Sequence, residues 1–242
     1  MSSLETRKIE PQSSTTVTLG EAGDTVAVPA GAIVKTNTVK DAGGNTLWTS
    51  DGAGTFSSVN SAIAGSMIFI SSQTASAAAS IEFTSGLDST YDEYVFYCVN
   101  IRNASNDNEA FRFNLSTDGG SNYNVNKTST YFDAKHGENG SGEALSYRTG
   151  HDRSRSTDYQ SLCYECGNDA DQSSCVVLHL FGPASTTYVK HFYATGQYSS
   201  YNDESRNSYV AGYGNTTSAI NAIKFEYQVG TMTGPIYLYG IS

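Results

Sequence analysis

Charge, proline and cysteine are all scarce in this chain. Only 16% of its 242 residues are charged, and it holds four prolines, four cysteines and one tryptophan. Hydrophobic residues reach 38%, below the roughly 45–50% of an average globular protein. Ser, Thr, Asn and Gly fill the gap, which excludes a coiled coil or a long helical bundle. Too little proline rules out a proline-rich linker. Basic residues are the scarcest charges: 14 against 24 acidic ones, a net charge of −10. A duplex-binding protein needs cations to displace counterions from phosphate, so nucleic acid is not an expected partner. No apolar run suits a bilayer span, and the first residues show no apolar leader segment, so membrane insertion and a signal peptide are not expected. Asn103, Asn114, Asn126, Asn139 and Asn215 begin N-x-S/T triplets. Composition alone produces several of these, and the expectation is no glycosylation.

What is present is aromatic and turn-rich. There are 17 Tyr, 10 Phe and 23 Gly, enough for a core and for many turns. The chain changes character near residue 75. Residues 1–75 hold few aromatics and carry short β-like bursts at 16–19, 25–28 and 32–34, separated by Gly20, Gly23, Pro29 and Gly31. Lone short strands are unstable in water. The pattern therefore suits a slender stem that pairs with other chains, or else a loose arm with one hairpin.

Residues 76–242 alternate apolar and polar side chains at Ile81-Glu82-Phe83, Phe111-Arg112-Phe113-Asn114-Leu115 and residues 223–229. Such alternation marks half-buried strands of an antiparallel sheet. Residues 94–101 are apolar on both faces and suit a central strand. Residues 175–181, 188–194 and 236–241 are further strands. Gly-, Asn- and Asp-rich turns between them predict an all-β chain: an extended N-terminal stem, then an antiparallel sandwich resembling a jelly roll. Residues 57–80 fit a short helix, a linker or a strand.

Three constellations carry possible chemistry. Cys163-x-x-Cys166, Cys175 and His179 have the ligand types of a zinc site. The competing reading is a hairpin of strands 159–166 and 175–181, which sets Cys166 opposite Cys175, free or bonded. Free thiols and no metal are expected, with Cys98 as a core residue. The second is the polar island from Tyr147 to Arg155, with Arg148, His151, Asp152 and Arg153. It reads as a solvated loop salt-bridged to Asp152 and Asp158, as a grip on an acidic sugar or subunit, or as an acid–base group of Tyr147, His151 and Arg153. The third is Tyr198-Ser199-Ser200-Tyr201 with Asn202, Asp203 and Glu204, whose amphipathic rings suit sugars and protein epitopes. It reads equally as a loop packing its own tyrosines. No nucleophile elbow, phosphate loop, dinucleotide motif or HExxH helix appears. Asp118-Gly119-Gly120 lacks the later acidic ligands of a calcium loop.

Residues 9–20, ending Val17-Thr18-Leu19-Gly20, and 23–32, centred on Thr25-Val26-Ala27-Val28, resemble the stem of tail-fibre-type structural proteins of marine bacteriophages. Residues 83–96, Ser116-Thr117-Asp118-Gly119-Gly120, Val210-Ala211-Gly212-Tyr213, Ile223-Lys224-Phe225 and Leu238-Tyr239-Gly240-Ile241 are similar to the β-rich domain that accompanies such stems. The four cysteines fall outside that likeness. The resemblance implies a non-enzymatic virion protein without cofactor, a homotrimer assembled in the host cytoplasm, whose partners are other virion proteins and a host surface glycan or protein. On that reading, residues 1–75 anchor and trimerise through Val26, Val28, Ile33 and Val34. The head, 76–242, meets the host through Arg153, Arg155, Tyr198 and Tyr201. The alternatives are a capsid-decorating or head-fibre protein, a glycan-active enzyme and a carbohydrate-binding module.

Overall fold

A computed structural model of the chain describes residues 34–59 and 66–241, with the single positions 25 and 30. It divides into two units, Met1–Ile63 and Ala64–Ser242. Among the described residues there are strands and no helix.

In the first unit, β1 (Thr38–Lys40), β2 (Thr46–Ser50) and β3 (Phe56–Val59) form an antiparallel meander. Two aspartates close its turns. Asp41 Oδ1 accepts the Asn45 amide at 2.8 Å, and Asp51 Oδ1 accepts the Ala53 amide at 2.7 Å, as Asx turns do. Trp48 and Phe56 meet edge to face at 5.4 Å. Of the four residues expected to pack between subunits, Val26, Val28 and Ile33 lie outside the described residues, and Val34 is exposed.

The second unit holds β4 (Met67–Ala78), β5 (Ser80–Phe83), β6 (Glu93–Asn103), β7 (Glu109–Ser116), β8 (Lys127–Gly137), β9 (Ala144–Tyr147), β10 (Arg153–Ser156) and β11 (Gln160–Cys166). Then follow β12 (Ser174–Phe181), β13 (Lys190–Ser199), β14 (Glu204–Gly214), β15 (Ala222–Tyr227) and β16 (Met232–Ile241). They build two antiparallel sheets. The nine-stranded sheet runs β10-β8-β14-β13-β12-β6-β16-β4, with β9 paired to β8, and the four-stranded sheet runs β11-β7-β15-β5. Their apolar faces meet. Phe83, Phe113 and Phe225 of the smaller sheet touch Phe96 and Phe192 of the larger, with Phe83–Phe96 at 5.5 Å and Phe113–Phe192 at 5.2 Å. This is the layering of a β-sandwich.

Strand parity explains who is inside. On β7, Phe111, Phe113 and Leu115 share the core face, and on β15, Ile223, Phe225 and Tyr227 do. β6 is central as expected, flanked by β12 and β16. The larger sheet extends past the smaller one. Over β8 and β14 the inner face meets β11, the edge strand of the smaller sheet, with Arg148 and His151 beside it, and it is polar: Asp133, Arg206 and Ser208 are buried there.

Two expectations are corrected, and one open reading resolves. The boundary expected at residue 75 falls inside β4, which pairs with β16 from Met67 onward, so the structural division lies at 63/64. Of the readings open for 57–80, strand is the one found among its described residues, in the end of β3 and in β4 and β5. Segments 159–166 and 175–181 do not form a hairpin, since β11 joins β7 in the smaller sheet and β12 joins β6 and β13 in the larger.

Candidate functional site

The outer face of the large sheet collects the exposed aromatics. On β8, β14, β13 and β12 the outward positions are those alternating with the core, and none of them is Lys, Arg, Asp or Glu. Register brings distant residues into line. Phe132 pairs with Tyr209, and Tyr193 pairs with His179. Phe132 and Tyr209 stack at 4.9 Å, nearly parallel at 10°. His179 stacks on Tyr193 at 4.3 Å, and Phe181 follows at 5.7 Å from Tyr193. Towards the other edge, Tyr239 meets Tyr97 at 5.7 Å and Phe69 at 5.5 Å. Phe132, Tyr193 and Tyr209 are each about 40% exposed, at 40%, 42% and 41%. Between them lies a groove of about 200 Å³ floored by Ala194, Val210 and Ala211, with Thr130 and Thr195 beside it. Two carboxylates border this face: Glu93 of β6, whose Oε1 lies 2.5 Å from His179 Nδ1, and Asp152, which accepts from Tyr147 beside Phe132. A contiguous apolar patch of this kind on a soluble surface marks an interaction site.

The opposite face of the sandwich is chemically different. Arg112 pairs with Glu226 at 2.6 Å and lies over the Tyr159 ring at 4.8 Å. Lys224 reaches Glu82 at 3.2 Å and lies over Tyr123 at 5.6 Å. The charges there satisfy one another.

The polar island is built into the structure, and its members diverge. Arg148 donates to Asp133 Oδ1 at 2.6 Å. Tyr164 donates to Asp133 Oδ2 at 2.9 Å. Arg206, 3% exposed, reaches Glu165 and Glu204 at 2.5 and 2.6 Å, and its guanidinium lies 4.8 Å from the Tyr164 ring centre. Tyr147 is exposed and donates to Asp152 at 2.7 Å. His151 stacks on Tyr164 at 4.2 Å with Nδ1 near Ser161 Oγ at 3.2 Å. Burial, then Arg153 and Arg148, push the His151 imidazole down to about 4. Arg153 is half-buried and donates to the Tyr159 and Asp152 carbonyls. Tyr147 and Arg153 both engage Asp152, through its carboxylate and its carbonyl, while His151 meets Ser161. Arg155 is exposed, at φ 50°.

One expected contact is corrected, and one alternative grouping does not form. Tyr198 is not a surface contact: it shares the inward parity of Phe192 and Ala194 and is 2% exposed, while Tyr201 is 36% exposed. The Cys163, Cys166, Cys175 and His179 set does not converge. Cys163 and Cys166 lie in the core, whereas Cys175 and His179 point outward from β12. Among the described residues no group of His, Cys, Asp or Glu is placed to hold a metal. All four cysteines are free, and burial pushes the Cys98 and Cys163 thiols far up.

Sequence reasoning missed the aromatic face. Residues 132, 179, 193 and 209 are far apart, and each is one aromatic at a position where a half-buried strand usually places a polar group. That inversion of the alternation was the available signal. Fold and face together describe an antiparallel all-β module with one aromatic side, free of Lys, Arg, Asp and Glu on the outward positions of β8, β12, β13 and β14, and one self-paired charged side. No family model, curated protein or solved structure matches the chain.

Proposed function

We propose that this chain is a non-enzymatic bacteriophage virion protein, a tail-fibre or adhesin subunit. Its N-terminal part attaches to the particle and trimerises as a stem, and its sandwich is presented to the host surface. The observation that carries this reading is the exposed aromatic face of the large sheet over β8, β12, β13 and β14, which fits contact with another molecule. The strand order supports a jelly roll. The runs β4-β16-β6-β12 and β5-β15-β7-β11 interleave the chain between the sheets as two Greek keys do, with β8, β9, β10, β13 and β14 added to one side. Viral shell proteins and lectins use that fold, a fold-level analogy. The side chains of Tyr147, His151 and Arg153 bond to other residues and not to one another, which supports binding over chemistry.

Light scattering tests the assembly. The full chain is expected at three times 25.8 kDa, and Val26→Asp with Val28→Asp is expected to give monomers. A wild-type monomer at every concentration would remove the stem assignment. Labelled full chain should also decorate bacterial cells; failure on every strain tried would count against host attachment.

A further inference from the structure

We propose that the groove framed by Phe132, Tyr209 and Tyr193 binds a neutral glycan, one sugar ring lying against the aromatic faces, and that acidic glycans are not its ligands. This rests on reading the sandwich as a host-contacting head and names the ligand class for it.

Shape, polarity and charge agree on this occupant. The groove holds about 200 Å³, room for a single ring. Its walls are aromatic faces that are already ordered: Phe132 and Tyr209 hold each other at 4.9 Å, and His179 and Tyr193 at 4.3 Å. The face of an aromatic ring is electron-rich, and the C–H side of a pyranose meets it favourably. Binding orders little that is not ordered beforehand, which limits the entropic cost. Polar atoms are few and peripheral, with Thr130 and Thr195 beside the groove and the Tyr hydroxyls at the ring tips. That ratio of apolar wall to hydrogen-bonding group is the one small-ligand sites use.

Charge excludes the acidic class. No outward position of β8, β14, β13 or β12 is Lys or Arg. A uronate or sulfate laid here would lose water without gaining a cation. The cations of those same strands point the other way: Lys135 pairs with Glu204, Lys190 with the Tyr188 and Thr216 carbonyls, and Arg206 with Glu165 and Glu204. The chain's net charge of −10 further disfavours an anionic polymer. In the basic stretch at 148–155, the expected grip for an acidic sugar, Arg148 and Arg153 are committed to Asp133 and to the Tyr159 carbonyl, which leaves Arg155 of β10 as its exposed cation.

Affinity electrophoresis of the full chain tests this, with soluble neutral glucans, galactans and mannans in one set of gels and alginate and a sulfated galactan in another. At least one neutral polymer is expected to retard the protein, equally at low and high salt. Tyr209→Ala and Tyr193→Ala are each expected to weaken binding roughly tenfold, Tyr209→Phe to retain it, and Val229→Ala to leave it unchanged. All three sites are solvent-facing, and circular dichroism confirms that the four variants fold. Retardation only by acidic polymers, and only at low salt, overturns the proposal. So does neutral-glycan binding that survives both alanine variants. If the alanine variants instead lower the solution mass and no glycan binds, the face is an interface between copies of this chain and the proposal falls. Cell decoration without glycan binding overturns the neutral-glycan assignment alone, whereas absence of both removes the host-contact reading itself.

Discussion

Lys127 is the residue whose environment departs furthest from its chemistry. It is fully buried, with Nζ donating to Asn114 Oδ1 at 2.5 Å and the Val125 carbonyl at 2.8 Å. Both acceptors are neutral. Burial, then Arg153, lower its pKa to about 7. Between that value and the unfolded 10.5 the unfolded chain binds the extra proton, so stability rises with pH across the window. Calorimetry from pH 7 to 9 should show wild type gaining on Lys127→Met; a constant difference would mean the ammonium stays charged. His151 acts at the acid end. Its folded value near 4 lies below the unfolded 6.5, so its contribution is present above 6.5 and is lost as pH falls through 4. His151→Phe should flatten the stability profile across that interval, and an unchanged slope would remove His151 as its source. Asp133 is the third such residue, fully buried and shared by Arg148, Tyr164 and Arg206. Asp133→Ala leaves two guanidiniums short of a counter-charge and is expected to cost about 3–5 kcal/mol in urea unfolding.

At the scale of elements, legibility followed the chemistry of the buried face. β6, β7 and β15 could be read because their inward positions are aromatic or aliphatic. β8 and β14 could not, since Asp133, Arg206 and Ser208 occupy theirs while Phe132 and Tyr209 face outward, which breaks the apolar-in, polar-out alternation that marks a strand. Tyr198 was legible in principle. Carrying the period of 188–194 four residues further puts it in step with Phe192 and Ala194. β16 shows how close packing constrains a strand. A Cβ on Gly240 would come 2.2 Å from the Tyr91 ring, and that ring packs edge to face on Tyr94 at 5.7 Å. Gly240→Ala is expected to displace it and cost about 1–3 kcal/mol by chemical denaturation; a neutral result would show that Tyr91 moves aside freely.

On the scale of the molecule, the sandwich separates its surface by chemistry. Cations and carboxylates pair on the outside of the small sheet and within the overhang, and the aromatics are left on the outside of the large sheet. The division at 63/64 has a practical consequence. A fragment of residues 64–242 keeps all of β4 against β16. A fragment of residues 76–242 removes most of β4 and bares the backbone edge of β16, which invites edge-to-edge association. Size-exclusion chromatography should therefore find the longer fragment well behaved and the shorter one aggregated. Equal behaviour of the two would show that β4 is dispensable.

The all-β class and the central place of β6 were determined by the sequence itself. Composition and period-two alternation are local or summed quantities that need no partner strand. Tertiary structure alone decided the rest. It split β11 and β12 between sheets, separated Cys163 and Cys166 from Cys175 and His179, and turned Tyr198 inward. It also gathered Phe132, His179, Tyr193 and Tyr209 on one face. These are outcomes of strand register, and register is fixed by pairings between segments far apart in the chain, which no stretch of residues encodes alone.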